Sequence, residues 1–409
     1  MRESTMSFQH IDDIDDRGSA DYFHGRHDEI GFFKSSLETS KRKGKAKSIL
    51  IQGPPGVGKT ALKQELKKIA QPNWKVIEIE SIHQLSDPFG LGVLLLGRKK
   101  FQRVAQEIGL DLKILKGKIE YQKIKDDVFQ ILSLATKPIL LVLDEAQIIG
   151  NEFSDHQTSI SPISFVMKAI HNLEGHHGFV TLFTGLGNTR KLYHDFNISR
   201  FHSNAVINLQ PLDPTSEKAI LKDYLVKDAK LDPNHSDLDD FIQTISKETH
   251  QWPHHIICYA QTASKLIQHH GVLSENVWNE TLERGRRLKD QYYQGRFDGI
   301  TAEIRCSIYH ALLENEIQKN QIRSLQLIES LTLNPYIKDP QTTWDRLIAK
   351  GIVQVGNNGF YQIPIPSMRT WMIKKYQQYH QALGMKPSTK MQQIIQSLNT
   401  PNIDNHPKI

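Results

Sequence analysis

The sequence predicts an α/β protein: a parallel β-sheet core, then an all-helical module, then three helices with a hairpin. Three observations carry this. Up to about residue 210, short apolar runs alternate with helical periodicity, as strands and crossover helices do. One run, Ile139–Leu143, is apolar throughout, which marks a strand buried on both faces. After Pro211 helical periodicity continues without strands until residues 352–355 and 360–363. These two short runs flank Gly356-Asn357-Asn358-Gly359, a hairpin signal.

In chain order, residues 1–20 are charged and aperiodic and read as a flexible leader. Residues 22–39 read as a short approach and a helix, and 41–47 as a basic loop. Residues 48–52 form an apolar run into a glycine-rich turn, and a helix follows over 59–70. Residues 74–80 alternate like a strand, and 83–136 are mostly helical in pattern. A helix over 163–173 and strands over 179–184 and 205–209 complete the core. The helical module reads as 216–226, 238–247, 253–269 and 275–289. Helices over 302–313, 322–331 and 342–350 precede the hairpin, and three helices with a hairpin suggest a winged-helix domain. The rest is polar and punctuated by proline, as for one amphipathic helix with a loose tail. The expected divisions are leader 1–20, core 21–210, helical lid and linker helix 211–298, winged-helix domain 299–376 and tail 377–409.

Composition narrows the class. With 409 residues, two or three domains are expected. Hydrophobic residues at 38% and charged residues at 23% fit a globular chain rather than a disordered or membrane one. The longest apolar run is far too short to span a bilayer, and the N-terminus has no secretory h-region. Cys258 and Cys306 by themselves form neither a disulfide framework nor a zinc site. These features predict a cytoplasmic protein without a membrane partner. The balance of 51 basic and 45 acidic residues permits a nucleic-acid partner without requiring one.

Gly53-Pro54-Pro55-Gly56-Val57-Gly58-Lys59-Thr60 matches G-x-x-x-x-G-K-[ST], between an expected strand and an expected helix, the context such a loop needs. Its glycines let backbone N–H groups converge on phosphate oxygens, and the helix start at Lys59, Thr60 and Ala61 adds a positive end. Lys59 is expected to reach the β- and γ-phosphates, and the Thr60 hydroxyl to bind Mg²⁺. The strand at 139–143 ends in Asp144-Glu145-Ala146-Gln147. Asp144 is expected to hold Mg²⁺ through water, and Glu145 to orient and deprotonate the attacking water. ATP with Mg²⁺ is the predicted ligand.

With these motifs the chain resembles AAA+ P-loop ATPases, in the branch of replication initiators, origin-recognition subunits and the related STAND ATPases. The likeness covers residues 22–372. Tyr22-Phe23-His24-Gly25-Arg26-His27-Asp28-Glu29-Ile30 looks like the family's GR-x-x-E element, which implies Tyr22, Phe23 and Arg26 beside the adenine. The segment 179–185 looks like the sensor-1 strand, implying Thr184 near the γ-phosphate, with Asn188 as the competitor. Asn197-Ile198-Ser199-Arg200-Phe201 resembles the segment that carries an arginine finger, which implies Arg200 acting on a neighbouring subunit's nucleotide. His250-Gln251-Trp252-Pro253-His254-His255 resembles the lid element over the nucleotide, implying contacts from Pro253 and His254. Gln251 stands where glycine is usual, and His254 where relatives carry the sensor-2 arginine.

The third helix of the winged-helix candidate offers only Arg346 and Lys350 as cations, and its turn is uncharged, so protein contact is favoured there over DNA reading. Basic residues concentrate instead at 41–47, in Arg98, Lys99, Lys100 and Arg103, between 113 and 125, and in Arg284, Arg286, Arg287 and Lys289. The 19 histidines include several adjacent pairs, which are poor chelates, and Pro253 separates His250 from His254. The resemblance implies an ATP-hydrolysing enzyme that self-associates and remodels or regulates a DNA-associated partner, in replication, transposition or mobile-element and phage defence. The alternative is a STAND-like switch with slow hydrolysis that gates a partner effector. A protein partner is expected, and DNA is an open partner.

Overall fold

The computed structural model describes residues 22–85, 88–107, 121–148, 160–172, 178–195, 201, 203–319, 324–333, 335, 337–355 and 361–384, with 386, 389, 391–393 and 396 beyond. They fall into two compact units that divide between Ser216 and Glu217. The expected leader lies outside the described residues.

In the first unit, helix α1 (His27–Lys43) precedes strand β1 (Lys47–Gln52), helix α2 (Lys59–Ala70) and strand β2 (Lys75–Ile79). Helices α3 (Pro88–Leu96), α4 (Arg98–Glu107) and α5 (Tyr121–Ser133) lead to β3 (Ile139–Leu143). Helix α6 (Ile160–His171), β4 (Phe179–Gly185), α7 (Thr189–Asp195) and β5 (Val206–Asn208) complete it. The sheet order is β2-β3-β4-β1-β5, and every pairing is parallel. The predicted parallel α/β core is therefore observed. Strands β3 and β4 are buried along their whole length, which is why β3 is apolar throughout and β4 is apolar except for the buried Thr181 and Thr184 and its final glycine.

Two local readings change. Helix α1 extends through Lys43, taking in the first half of the expected basic loop. Gly44, at φ 61°, ends it, and Lys41, Arg42 and Lys43 sit in its last turn, where cations complement the helix dipole. The helical stretch 83–136 is broken at Gly97, which takes φ 76° between α3 and α4. Residues 108–120 lie outside the described residues.

Helix α8 (Pro214–Asp223), extended by a π-helical turn (Tyr224–Asp228), leads into the second unit, with α9 (Leu238–Thr249), α10 (Pro253–His270) and α11 (Glu275–Arg296). Ser274 caps α11, its hydroxyl accepting from the Val277 N–H. Gly285 of α11 meets the Tyr259 ring of α10, which occupies the place a Cβ would take, so the two helices approach closely there. Next come α12 (Ala302–Lys319), α13 (Ser324–Thr332), α14 (Pro340–Ala349), an antiparallel pair β6 (Gln354–Val355) and β7 (Tyr361–Gln362), and α15 (Pro366–Ala382). The order of three helices and a hairpin is as expected. Helix α15 runs across the expected boundary at 376.

A ring cluster ties α15 to α11. Trp371 packs at 5.4 Å from Tyr293, 5.9 Å from Phe297 and 5.8 Å from Tyr309. The Trp371 indole N–H donates to Asp290, and Lys375 donates to the same carboxylate at 3.1 Å. Through α11 the helical module and the three-helix module therefore share one core. Among the described residues, no helix is long and apolar enough to cross a membrane.

Candidate nucleotide site

Parallel strands deliver their C-terminal ends to one edge, and the site is built there. Beyond β1 the chain turns through residues 53–58 into α2. Gly56 and Gly58 take φ 79° and 93°, values that only glycine adopts without strain. A Cβ on Gly53 would lie 2.9 Å from Val57 Cγ1, so a side chain there would force the loop to shift. Lys59, 7% exposed, turns its ammonium onto the loop, donating to the carbonyls of Gly53 at 3.0 Å and Pro54 at 3.2 Å. Thr60 is exposed at the start of α2, with Ala61 half-buried behind it.

The loop is bonded to the strand ends beside it. The Gly53 N–H donates to the Gly185 carbonyl at 3.1 Å. One residue earlier, the Thr184 hydroxyl donates to Asp144 Oδ1, joining β4 to the end of β3. The Glu145 N–H donates to the same oxygen at 3.0 Å. Of the two sensor-1 candidates, Thr184 is the one that touches Asp144.

Two side chains here had not been singled out in the sequence. Lys63, one turn after Lys59, donates to Asp144 Oδ2 at 2.7 Å and lies 3.2 Å from Glu78. Burial pushes the Asp144 carboxyl up, but Lys63, Thr184 and the Glu145 N–H outweigh it and hold it below its ordinary value. Burial likewise works against the Lys63 ammonium, and its two carboxylate partners raise it. The second side chain is Gln147. Its amide N–H donates to the Glu145 carboxylate, and its carbonyl accepts from the Leu186 N–H at 3.0 Å. The available signals were a lysine in the buried stripe of α2 (Leu62, Leu66, Ala70) and a polar residue two places after Glu145.

Glu145 is exposed and holds φ 50°, a left-handed value that is costly for a side chain with a Cβ and that recurs at functional sites. Arg26 also takes a left-handed φ, and its guanidinium donates to the carbonyls of Val57 at 3.0 Å and Gln210 at 2.8 Å. Burial lowers its pKa while Glu29 and Asp213 oppose the shift. Arg26 therefore braces the loop through a backbone carbonyl. Tyr22 and Phe23 are half-buried just before it. Phe201 is anchored against Phe183 and Tyr193, while Arg200 lies outside the described residues.

In the second unit, His250 and Gln251 both take left-handed φ values, 51° and 57°, before Trp252 and Pro253 start α10. Pro253 occupies the first turn, as its sequence context predicts. The His254 ring stacks on Tyr292 at 4.2 Å, with its Nε2 3.7 Å from Cys258 Sγ. His250 ends α9 and His254 starts α10, so the two do not share a helix face.

The residues present fit a magnesium nucleotide. A glycine loop leading into a helix start suits phosphates, and the Asp144 carboxylate and the exposed Thr60 hydroxyl are oxygen donors of the kind a hard divalent cation takes.

No protein-family model and no curated protein matches the chain. Among solved structures, the chain is similar to the ORC2 protein of Aeropyrum pernix in its ADPNP–ADP complexes. That match has 13% identity and a TM-score of 0.48, and covers 88% of this chain and 95% of that one. The ORC1 protein of Aeropyrum pernix in complex with DNA matches at 13% identity and a TM-score of 0.39, over 88% and 94%. The Drosophila ORC bound to DNA matches at 13% identity and a TM-score of 0.42, over 90% and 97%. At such identities and scores, the function of these proteins does not carry over.

Proposed function

We propose that the protein is a Mg-dependent ATPase of AAA+ type that assembles with itself and remodels or regulates a DNA-associated partner. One observation carries the catalytic part: hydrogen bonds link three adjacent strand ends, Gly53 of the glycine loop to Gly185, and the neighbouring Thr184 to the Asp144-Glu145 pair. In this reading residues 21–210 are the ATPase core, 211–298 the lid and linker helix, and 299–376 a winged-helix domain.

The loop N–H groups and Lys59 bind the phosphates, Lys59 exchanging its loop carbonyls for phosphate oxygens. Thr60 and, through water, Asp144 would hold Mg²⁺, which would supply neutralisation of phosphate charge. Glu145 accepts a proton from the attacking water, and Gln147 fixes its carboxylate. Thr184 orients Asp144. Arg200 supplies a cation to a neighbouring subunit's nucleotide, and Pro253 and His254 bring the lid's contacts.

The test compares Lys59→Ala and Glu145→Gln with the unaltered protein, following binding of a fluorescent ATP analogue and phosphate release. Lys59→Ala is expected to lose binding. Glu145→Gln is expected to bind while turnover falls by roughly a hundredfold or more. Equal turnover in Glu145→Gln would sink the catalytic assignment, whereas tight binding with negligible turnover in every form would favour the switch. Mixing Arg200→Ala with Lys59→Ala subunits tests the finger: it is expected to restore activity, and no restoration with no ATP-dependent assembly would overturn the oligomer.

A further inference from the structure

The other end of the sheet is as strongly charged as the nucleotide end is specialised. The last turn of α1, the connection after it and the first residue of β1 carry Lys41, Arg42, Lys43, Lys45 and Lys47, and all five are exposed. Ser40 pins this turn to the sheet: its hydroxyl donates to the Lys45 carbonyl at 2.8 Å and accepts from the Phe179 N–H at 3.0 Å, at the start of β4.

The fold adds cations from distant parts of the chain. A Cβ on Gly178, just before β4, would press on the Trp74 ring at 3.1 Å, the Lys41 Cα at 3.3 Å and the Pro138 Cβ at 3.3 Å. The starts of β2, β3 and β4 thus meet the end of α1, and exposed Lys137 stands immediately before Pro138. The Lys75 ammonium, on the first residue of β2, donates to the Leu95 carbonyl, which draws the start of α4 to the same end. That helix begins Arg98-Lys99-Lys100, again exposed. Segments 41–47, 71–75, 97–100 and 134–138 contain no aspartate or glutamate. Among the described residues, Lys41, Arg42, Lys43, Lys47, Lys137 and Lys99 enter no ion pair. The helix dipole of α1 accounts for cations in its last turn, but not for Lys45 and Lys47 beyond Gly44, nor for those on other elements.

We infer that this N-terminal end of the sheet is a docking surface for the phosphate backbone of a nucleic acid. From β1 to β2 the arc crosses three strand spacings, about 14 Å, enough for several phosphates. Chemistry separates this partner from others. Lysine is depleted at protein–protein interfaces, whose hot spots are apolar or aromatic. A membrane-surface site needs apolar side chains to insert. No exposed large hydrophobic among the described residues falls in these segments. The surface lies a strand length, about 20 Å, from the phosphate loop, so the two anion sites act independently.

The inference does not depend on ATP hydrolysis and is tested apart from it. Anisotropy of a labelled duplex would be followed across a salt series for the full chain. Three triple variants, each removing three positive charges, would be compared: Lys43→Gln/Lys45→Gln/Lys47→Gln, Arg98→Gln/Lys99→Gln/Lys100→Gln, and the control Lys222→Gln/Lys230→Gln/Lys247→Gln. Each patch variant is expected to weaken binding by about tenfold or more and to lower the log–log salt slope by roughly two to three, and the control to change affinity by less than about twofold. Two patch variants guard against misfolding of either. The proposal is overturned if the unaltered protein binds no duplex, if the control loses as much as the patch variants, or if excess ATP displaces the duplex. Tighter binding to phosphatidylserine vesicles than to the duplex would also overturn it.

Discussion

Gln147 spans, with one amide, the carboxylate of Glu145 and the backbone N–H of Leu186. A general base contributes fully only when its carboxylate is held in line with the water it serves. Gln147→Ala is therefore expected to lower kcat roughly ten- to a hundredfold with little change in KM for ATP, measured by steady-state phosphate release. An equal rise in KM would point instead to a damaged phosphate loop. Lys63 is the second residue whose role is set by its partners. Lys63→Met would leave the half-buried Asp144 without its cation, at a cost of about 1–3 kcal/mol in urea unfolding at neutral pH. The sign with pH follows from the lowered carboxyls of Asp144 and Glu78. Their contribution is present above the ordinary carboxylate range and is lost as pH falls through their folded values. Wild type and Lys63→Met are thus expected to converge in stability as pH falls below the ordinary carboxylate range.

At the scale of elements, carboxylates in the second unit illustrate opposite signs. Glu248 near the end of α9 is pushed up by burial, but Arg286 and Lys289 of α11 overcome this and bring its pKa to about 2. Glu248→Ala would release the α9–α11 clamp and is expected to cost about 2 kcal/mol, read by chemical denaturation. Glu217, fully buried near the start of α8, accepts from Thr249 and Gln251, yet burial raises its pKa. A raised carboxyl contributes its stability below the ordinary glutamate range and loses it as pH rises through the folded value. Glu217→Gln is accordingly expected to melt higher than wild type at neutral pH, with the advantage gone near about pH 4. A lower melting temperature at pH 7 would show that the hydrogen bonds to Thr249 and Gln251 outweigh the buried charge. The left-handed pair His250 and Gln251 sits directly beside these bonds, so Glu217 also helps hold the turn into α10.

At the scale of the molecule, two compact units predict two calorimetric transitions. Saturating Mg-ATP, at about 100 times its Kd, adds roughly 2.7 kcal/mol to whatever binds it. Movement of one transition would assign the nucleotide to the first unit alone, and movement of both is expected if Pro253 and His254 contact it. The sequence by itself determined the parallel α/β core, the glycine turn between β1 and α2, and the place of Asp144 and Glu145 at the end of β3. These rest on local patterns: continuous apolar runs for doubly buried strands, glycines at positive φ, and a lysine at a helix start. It put Thr184 near the end of a strand, but could not choose between it and Asn188, because the choice depends on which side chain reaches β3. The tertiary structure alone decided that Lys63 pairs with Asp144, that Gln147 joins Glu145 to β4, and that Arg26 braces the loop through Val57. It also merged the helical and three-helix modules through Trp371 and gathered lysines from α1, α4 and the start of β3 at one end of the sheet. Each of these is a contact between residues far apart in the chain, and no periodicity within a segment encodes which strand will become its neighbour.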